Sequence, residues 1–96
     1  MDHMKFEWDE AKSEACFRER GFDFEYAAKA FFDPKRLVWA DKRYSYGEDR
    51  YQLLGQIENR LFVVVYTPRR EALRIISARK ANRREVKLYE DCTHEY

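Results

Sequence analysis

The stretch "RYQLLGQIENRLFVVVYTPRREALRIISAR", residues 50–79, decides the fold. β-Branched and aromatic residues dominate three runs at 50–57, 60–67 and 72–79, and the intervening "EN" and "PRRE" have the composition of turns. A fourth run of this kind, "RLVWAD" at 36–41, precedes them across the segment "KRYSYGED". Four strands at such short intervals predict an antiparallel meander, with one face packed on helices and the other partly polar.

Two helices are predicted ahead of this sheet, because the segment 6–34 has the pattern of a short strand followed by two helices. Asp9 and Asp23 are suited to cap helix N termini, since their carboxylates can accept backbone amide hydrogen bonds. Gly21 can end the first helix in the left-handed conformation that a side chain resists. Pro34 is expected to end the second helix, because the residue before a proline is pushed out of the helical region.

A terminal helix is predicted by Asn82 with Glu85 three residues later, which is the reciprocal pattern of a capping box. The whole chain, 1–96, is therefore interpreted as a single α+β domain. We expect a twisted antiparallel sheet with two N-terminal helices packed on one face and a C-terminal helix at its edge. The opening "MDHM", 1–4, is compatible with a vector-derived extension ahead of a native start at Met4, so it has no weight in this prediction.

The chain lacks the residues that several classes of enzyme require. The two histidines, His3 and His94, lie at the termini, which argues against a histidine triad or a zinc site in the body of the fold. The two cysteines, Cys16 and Cys92, are far apart, and the three glycines fit no phosphate-binding loop. No apolar run approaches the roughly 20 residues of a membrane span. We expect a cytoplasmic protein without metal, cofactor or membrane contact.

A formal net charge of +1 hides a cationic segment between residues 69 and 87, where eight Lys and Arg residues face only two Glu residues. The cations are Arg69, Arg70, Arg74, Arg79, Lys80, Arg83, Arg84 and Lys87. A planar guanidinium presents paired donors that a phosphate can accept in bidentate fashion. The segment is therefore interpreted as an anion site at the edge of the sheet.

Other interpretations of these side chains stay open. The cations of the predicted terminal helix can form a solvated face without a ligand. Arg74 and Arg79 lie in or beside an apolar strand, where a cation that binds no ligand needs a partner such as Glu48 or Asp49. A strand tyrosine such as Tyr66 can stack on a base or pack in the sheet.

Cleavage of RNA is compatible with this residue inventory. The 2′-hydroxyl of RNA is an internal nucleophile, so an enzyme needs a general base, cations that stabilise the pentacoordinate transition state, and a proton donor for the leaving oxygen. None of these roles requires a metal ion. Arginine clusters with Glu or Tyr nearby occur on many protein surfaces, so this inventory does not by itself distinguish a nuclease from a binding protein.

Three segments carry a resemblance to a known family: "FEWDEAKSEACFRERGFDFEYAAKAFFDP" at 6–34, "DKRYSYGEDRYQLLGQIENRLFVVVYT" at 41–67, and "RIISARKANRREVKLYED" at 74–91. Over nearly the whole chain they resemble the BrnT family of bacterial type II toxins. The resemblance implies a fold similar to the RelE class of ribonuclease toxins and a translation-inhibiting ribonuclease activity. It also implies a BrnA-like antitoxin encoded beside the toxin, and a hetero-oligomer of the two.

The resemblance also points to particular residues. The positions that match the family's motifs are Glu48, Arg50, Tyr66, Arg74, Arg79 and Arg83. With the residue chemistry added, catalytic roles are expected for Arg79, Arg83, Glu48, Arg50, Tyr66 and Lys80. RNA-binding roles are expected for Arg69, Arg70, Arg74, Arg84, Lys87 and Tyr44.

Tyr44 marks a departure from the family pattern. Relatives often have histidine at this place, and its loss removes an acid–base group that titrates near neutral pH. Glu48, Tyr66 or Lys80 would then have to move protons. The sequence thus predicts a metal-independent endoribonuclease toxin that inhibits translation by cleaving RNA. A non-catalytic inhibitor that binds RNA or the ribosome, and an interaction module for an acidic partner, stay open because they require the same cations.

Overall fold

The computed structural model describes residues 4–43 and 45–93, and it shows the predicted α+β fold. The elements are β1 Lys5–Trp8, α1 Glu10–Arg20, α2 Phe24–Ala27, a 3₁₀ helix Ala28–Phe32, β2 Leu37–Ala40, β3 Tyr51–Ile57, β4 Arg60–Arg69, β5 Ala72–Lys80 and α3 Arg83–Thr93. In this part of the chain, no helix is long and apolar enough to cross a membrane.

The sheet has five strands in the order β1-β5-β4-β3-β2. Strands β2 to β5 form the predicted antiparallel meander. The sheet is nevertheless mixed rather than wholly antiparallel, because β1 pairs in parallel with β5, with Lys5 opposite Ala72 and Trp8 opposite Ile75. A parallel pair needs a long crossover connection, which the intervening helices and meander provide.

The predicted helix ends are confirmed by their hydrogen bonds. The Asp9 carboxylate accepts from the amide of Ala11 at 2.9 Å, and that of Asp23 accepts from the amide of Tyr26 at 2.9 Å. Gly21 ends α1 with φ of 86°, a conformation that costs glycine little. The second predicted helix is one α-helical turn that continues as the 3₁₀ helix to Phe32.

The two faces of the sheet carry separate cores. Face A is the side that packs on α1, α2 and the 3₁₀ helix, and its buried side chains are Leu53, Ile57, Phe62, Val64, Ile75 and Ala78. Face B is the opposite side, where Leu54, Leu61 and Val63 are buried together with Tyr89 of α3. These side chains of face B are apolar and must be shielded from water. The prediction that α3 lies at the sheet edge is therefore wrong, because this helix packs across face B.

A partly buried hydrogen bond holds α3 in place. The Tyr89 hydroxyl donates to Oδ2 of Asp33 at 2.6 Å, and the backbone amide of Gln56 donates to the same oxygen at 2.8 Å. Burial, followed by the hydrogen bond to Asp33, raises the pKa of Tyr89 to about 12. The helix is thus joined to the residue that follows the 3₁₀ helix as well as to the sheet.

Candidate functional site

A β-bulge in β5 decides which of its side chains share face B. Tyr66 of β4 is opposite Ile75, whereas Val65 is opposite Ser77, so Ile76 is the extra residue. One extra residue shifts the alternation of a strand by one position. Arg74 and Arg79, which regular alternation would place on opposite faces, therefore both lie on face B.

Arg79 is held by Glu85 at the start of α3. Its two terminal nitrogens donate to the two carboxylate oxygens at 2.9 and 2.8 Å. The pair raises the pKa of Arg79 and lowers that of Glu85. Glu85 also accepts the amide of Asn82 at 2.8 Å, while the Asn82 side chain accepts the amide of Glu85 at 2.9 Å, so the predicted capping box is confirmed.

Arg74 is also paired on face B. Its Nη1 lies 3.3 Å from Oε2 of Glu7 in β1, and both side chains are partly exposed. Glu48 and Asp49, the partners considered from the sequence for Arg74 and Arg79, are therefore wrong for both arginines. The parallel pairing of β1 with β5, which places Glu7 beside Arg74, could not be read from local pattern.

The loop 41–50 contributes a third arginine that the sequence interpretation missed. Nε and Nη2 of Arg43 donate to the carboxylate of Asp41 at 2.7 and 2.8 Å, and the Asp41 side chain is fully buried. Gln52 at 3.4 Å and the Tyr46 hydroxyl at 3.3 Å also donate to Asp41. The hydrogen bonds from Arg43 hold the pKa of Asp41 well below its usual range, and the charge of Arg43 partly offsets the rise in the pKa of Arg79.

Glu48 lies in the same loop, between two arginines. Its carboxylate accepts Nε of Arg50 at 3.1 Å and Nη2 of Arg69 at 3.4 Å. The hydrogen bond from Arg50 lowers the pKa of Glu48. The loop is fixed to β4 because the Thr67 hydroxyl donates to the carbonyl of Asp49 at 2.6 Å. Glu48 and Arg50, two of the positions that match the family's motifs, are therefore in direct contact.

A strip of face B lies between this loop and α3. Gln52, Val65 and Ser77 are neighbours across β3, β4 and β5 and form its floor. Ser77 is exposed. Arg43 borders the strip on the side of the loop, and Arg79 borders it on the side of α3. This strip, with Arg74 farther along β5, is the candidate functional site.

Two predicted catalytic residues lie on the other side of the sheet. The ring of Tyr66 packs against Phe31 at 4.9 Å and against Tyr51 at 5.7 Å between ring centres, within the core of face A. Lys80 is opposite Phe62, another side chain of that core. The structure therefore does not bring Tyr66 and Lys80 together with Arg79.

The cationic segment is not one cluster. Arg69 and Arg70 lie at the turn between β4 and β5, whereas Arg83 and Arg84 lie in the first turn of α3. Strand β5 separates the two groups by roughly 26 Å, at about 3.3 Å per residue. The eight cations therefore do not form the predicted single cluster at the sheet edge, because Arg74 and Arg79 lie on face B between these groups and Lys80 lies on face A.

The exposed cations of α3 differ in their partners. Arg83 and Arg84 form no ion pair among the residues that the structure describes, although the charge of Arg84 helps to lower the pKa of Glu85. Lys87 pairs with Asp91 one turn later at 3.4 Å, and both side chains are largely exposed. Such a pair contributes little to stability. Tyr44, the remaining predicted RNA-binding residue, lies outside the described residues.

Within residues 4–43 and 45–93, no group of three or more His, Cys, Asp or Glu side chains is placed to hold a metal ion.

A family model described as "Ribonuclease toxin, BrnT, of type II toxin-antitoxin system" matches residues 8–85. The match begins in β1 and ends in the first turn of α3, so it includes the whole candidate site. A comparison with curated proteins gave no match.

Proposed function

Because the chain belongs to the BrnT family of ribonuclease toxins from type II toxin–antitoxin systems, we propose that it is a metal-independent endoribonuclease that cleaves RNA on face B and thereby inhibits translation in the cytoplasm. Membership of this family implies an antitoxin partner. We propose that this partner is a BrnA-like protein, and that the substrate is RNA, either free or on the ribosome.

The observation that carries the proposal is the convergence of arginines on one strip of sheet. The bulge at Ile76 brings Arg74 and Arg79 onto face B, and the buried carboxylate of Asp41 holds Arg43 at the border of the same strip. A guanidinium has five N–H donors. Arg79 uses three of them, two on Glu85 and one on the carbonyl of Lys80 at 3.3 Å, so two stay available for a phosphate.

In the proposed mechanism, Arg43 and Arg79 bind the scissile phosphate and stabilise the charge that develops on it. Glu48, which Arg50 keeps ionised, lies toward the β4–β5 turn, and we propose that bound RNA brings the 2′-hydroxyl within its reach, so that Glu48 accepts the proton. The 2′-oxygen attacks phosphorus, the bond to the 5′-oxygen breaks, and that oxygen takes a proton from solvent. The products are a 2′,3′-cyclic phosphate and a 5′-hydroxyl.

The remaining cations are proposed to bind RNA beyond the scissile phosphate. Arg83, Arg84 and Lys87 would contact it on the side of α3, and Arg69 and Arg70 on the side of the β4–β5 turn. The roughly 26 Å between these groups would let a strand contact both ends of face B. Arg50, whose side chain is largely buried against Glu48, is proposed to position that carboxylate rather than to contact RNA.

A specific observation favours a second candidate function. Arg43, Arg74 and Arg79 are each paired with a carboxylate, which reduces the positive field of the strip. A face of this kind suits binding of RNA or a ribosomal surface without cleavage. An interaction module for an acidic partner would also use it, although the same carboxylates would repel acidic side chains.

Product analysis separates cleavage from binding. We expect the purified protein to cut RNA into fragments with cyclic phosphate and 5′-hydroxyl ends, and to do so equally well with a chelator present. Glu48→Gln should slow cleavage by about 10²–10⁴-fold, as loss of a general base does. Glu14→Gln, an exposed carboxylate of α1, is the matched control and should leave the rate unchanged. RNA binding without any cleavage would favour the second candidate.

A further inference from the structure

Phe17 on α1 is an exposed aromatic side chain outside the RNA face. It is 58% exposed, although Phe22 and Phe62, which line the same groove, are buried. Phe17 borders a groove of about 490 Å³ between the end of α1 and the start of β4. The walls are aromatic, from Phe17, Phe22, Tyr26 and Phe62. This groove lies on the side of face A, away from the strip that carries Arg79.

Cations surround this aromatic groove. Arg20, Arg60 and Lys80 line it, and Arg60 and Lys80 have no acidic partner in the described part of the chain. The one carboxylate in the lining, Asp23, already accepts the amide of Tyr26 as the cap of α2. Arg20 pairs with Glu19 at 3.9 Å, so the groove presents an apolar floor with the cations Arg60 and Lys80, unpaired among the described residues, at its rim.

A second groove on the other side of Phe17 has the opposite charge. Its lining includes Glu10, Glu14 and Asp23 with a single cation, Arg18. Phe17 is thus a ridge between a cationic and an acidic surface. An RNA strand that crossed this ridge would bring its phosphates against the carboxylates, so the charge pattern favours a protein segment that carries both signs of charge.

We propose that the Phe17 groove is the docking site for an amphipathic segment of the antitoxin. An apolar side chain of this segment lies between Phe17 and Phe22, and its carboxylates lie over Arg60 and Lys80. The identity of the partner rests on the proposed function, whereas the chemistry of the segment rests on the groove. Because the groove and the RNA strip are on opposite faces of the sheet, docking here leaves face B accessible unless another part of the partner covers it.

Affinity for the proposed antitoxin partner tests the proposal. Phe17→Ser and Arg60→Glu should each weaken its binding, measured by calorimetry, by at least about tenfold, as expected for an anchor and for a complementary charge. Both residues are exposed, so thermal unfolding should be unchanged. Phe32→Ser and Lys35→Glu are the matched controls, since these residues are exposed elsewhere on the surface, and they should change affinity by less than about twofold.

Wild-type affinity in both groove variants would overturn the proposal, as would an antitoxin that does not bind the wild-type protein. The proposal would also be overturned if the groove variants lost RNA binding while they kept antitoxin binding, because the groove would then be an RNA site. Cleavage of RNA by the free protein reports on the proposed function independently. Phe17→Ser should cleave at the wild-type rate, which separates failure of this inference from failure of the ribonuclease function.

Discussion

Arg79 and Glu85 form a two-bond ion pair that joins the last residues of β5 to the first turn of α3, with nitrogen–oxygen distances of 2.9 and 2.8 Å. The same carboxylate closes the capping box with the amide of Asn82. One side chain therefore fixes the start of the helix and orients a guanidinium at the border of the RNA strip. It also masks part of the positive charge that RNA would meet.

Glu85→Gln tests this masking. Glutamine can keep the capping box but carries no charge. We expect RNA affinity to rise and the log–log salt slope to increase by about 0.7, as one more phosphate is neutralised. The free energy of unfolding should fall by about 1 kcal/mol, because a charged hydrogen bond becomes a neutral one. Filter binding over a salt series and denaturant titration measure both; a large loss of cleavage would instead make Glu85 a catalytic base.

Arg74→Ala tests whether RNA binds along face B. We expect weaker RNA binding and a salt slope that is smaller by about 0.7, since one phosphate contact is lost. Arg18→Ala removes an exposed cation of α1 on the other side of the sheet and should leave the slope unchanged. Equal slopes for wild type, Arg74→Ala and Arg18→Ala would place the RNA elsewhere.

The bulge in β5 shows why the site could be predicted only in part. The sequence "RIISAR" identifies a strand and its arginines, but Arg74 and Arg79 are five positions apart, and regular alternation would separate them. The extra residue at Ile76 places both of them on face B. Arg43 escaped notice for a related reason. Its role depends on a bidentate contact with Asp41, two residues away in a turn-like segment that has no periodicity to reveal which side chain is buried.

Local signals predicted the elements better than their arrangement. The caps at Asp9, Asp23 and Asn82 depend on neighbours within three residues, and all three are confirmed. The parallel pairing of β1 and the position of α3 depend on contacts between distant parts of the chain. Tyr89 lies 56 residues from its hydrogen-bond partner Asp33, a relation that no local pattern encodes.

Asp41→Asn tests whether the Asp41 carboxylate holds Arg43 in place. Asparagine has one acceptor oxygen and no charge, so it cannot replace the two oxygens that accept from Arg43, and we expect unfolding free energy to fall by about 1–3 kcal/mol and cleavage to slow. The low pKa of Asp41 contributes stability above its unfolded value of about 3.9, and this contribution is lost as pH falls through the native pKa. The wild type should therefore lose stability in acid more steeply than the variant. If the free energy of unfolding fell equally steeply in acid for Asp41→Asn and for the wild type, this role of Asp41 would be disproved.

The raised pKa of Tyr89 predicts that the protein loses stability at alkaline pH. Its native pKa of about 12 is raised above the unfolded value of about 10, so its contribution to stability is complete below pH 10 and is lost as pH rises toward 12. Tyr89→Phe removes the hydrogen bond to Asp33 and should flatten this part of the stability profile. Denaturant unfolding between pH 9 and pH 12 measures the difference; an equally steep decline in the variant would show that other groups cause it.

The central claim, that RNA is cleaved on face B, is tested most directly by the single-turnover cleavage rates of Arg79→Ala and Tyr66→Phe, each measured at a temperature where the variant is folded. Loss of a preorganised donor should slow Arg79→Ala by about 10²–10³-fold. Tyr66→Phe, altered only within the aromatic packing of face A, should stay within about threefold of the wild type. A wild-type rate in folded Arg79→Ala, or a loss of cleavage in Tyr66→Phe, would contradict the account.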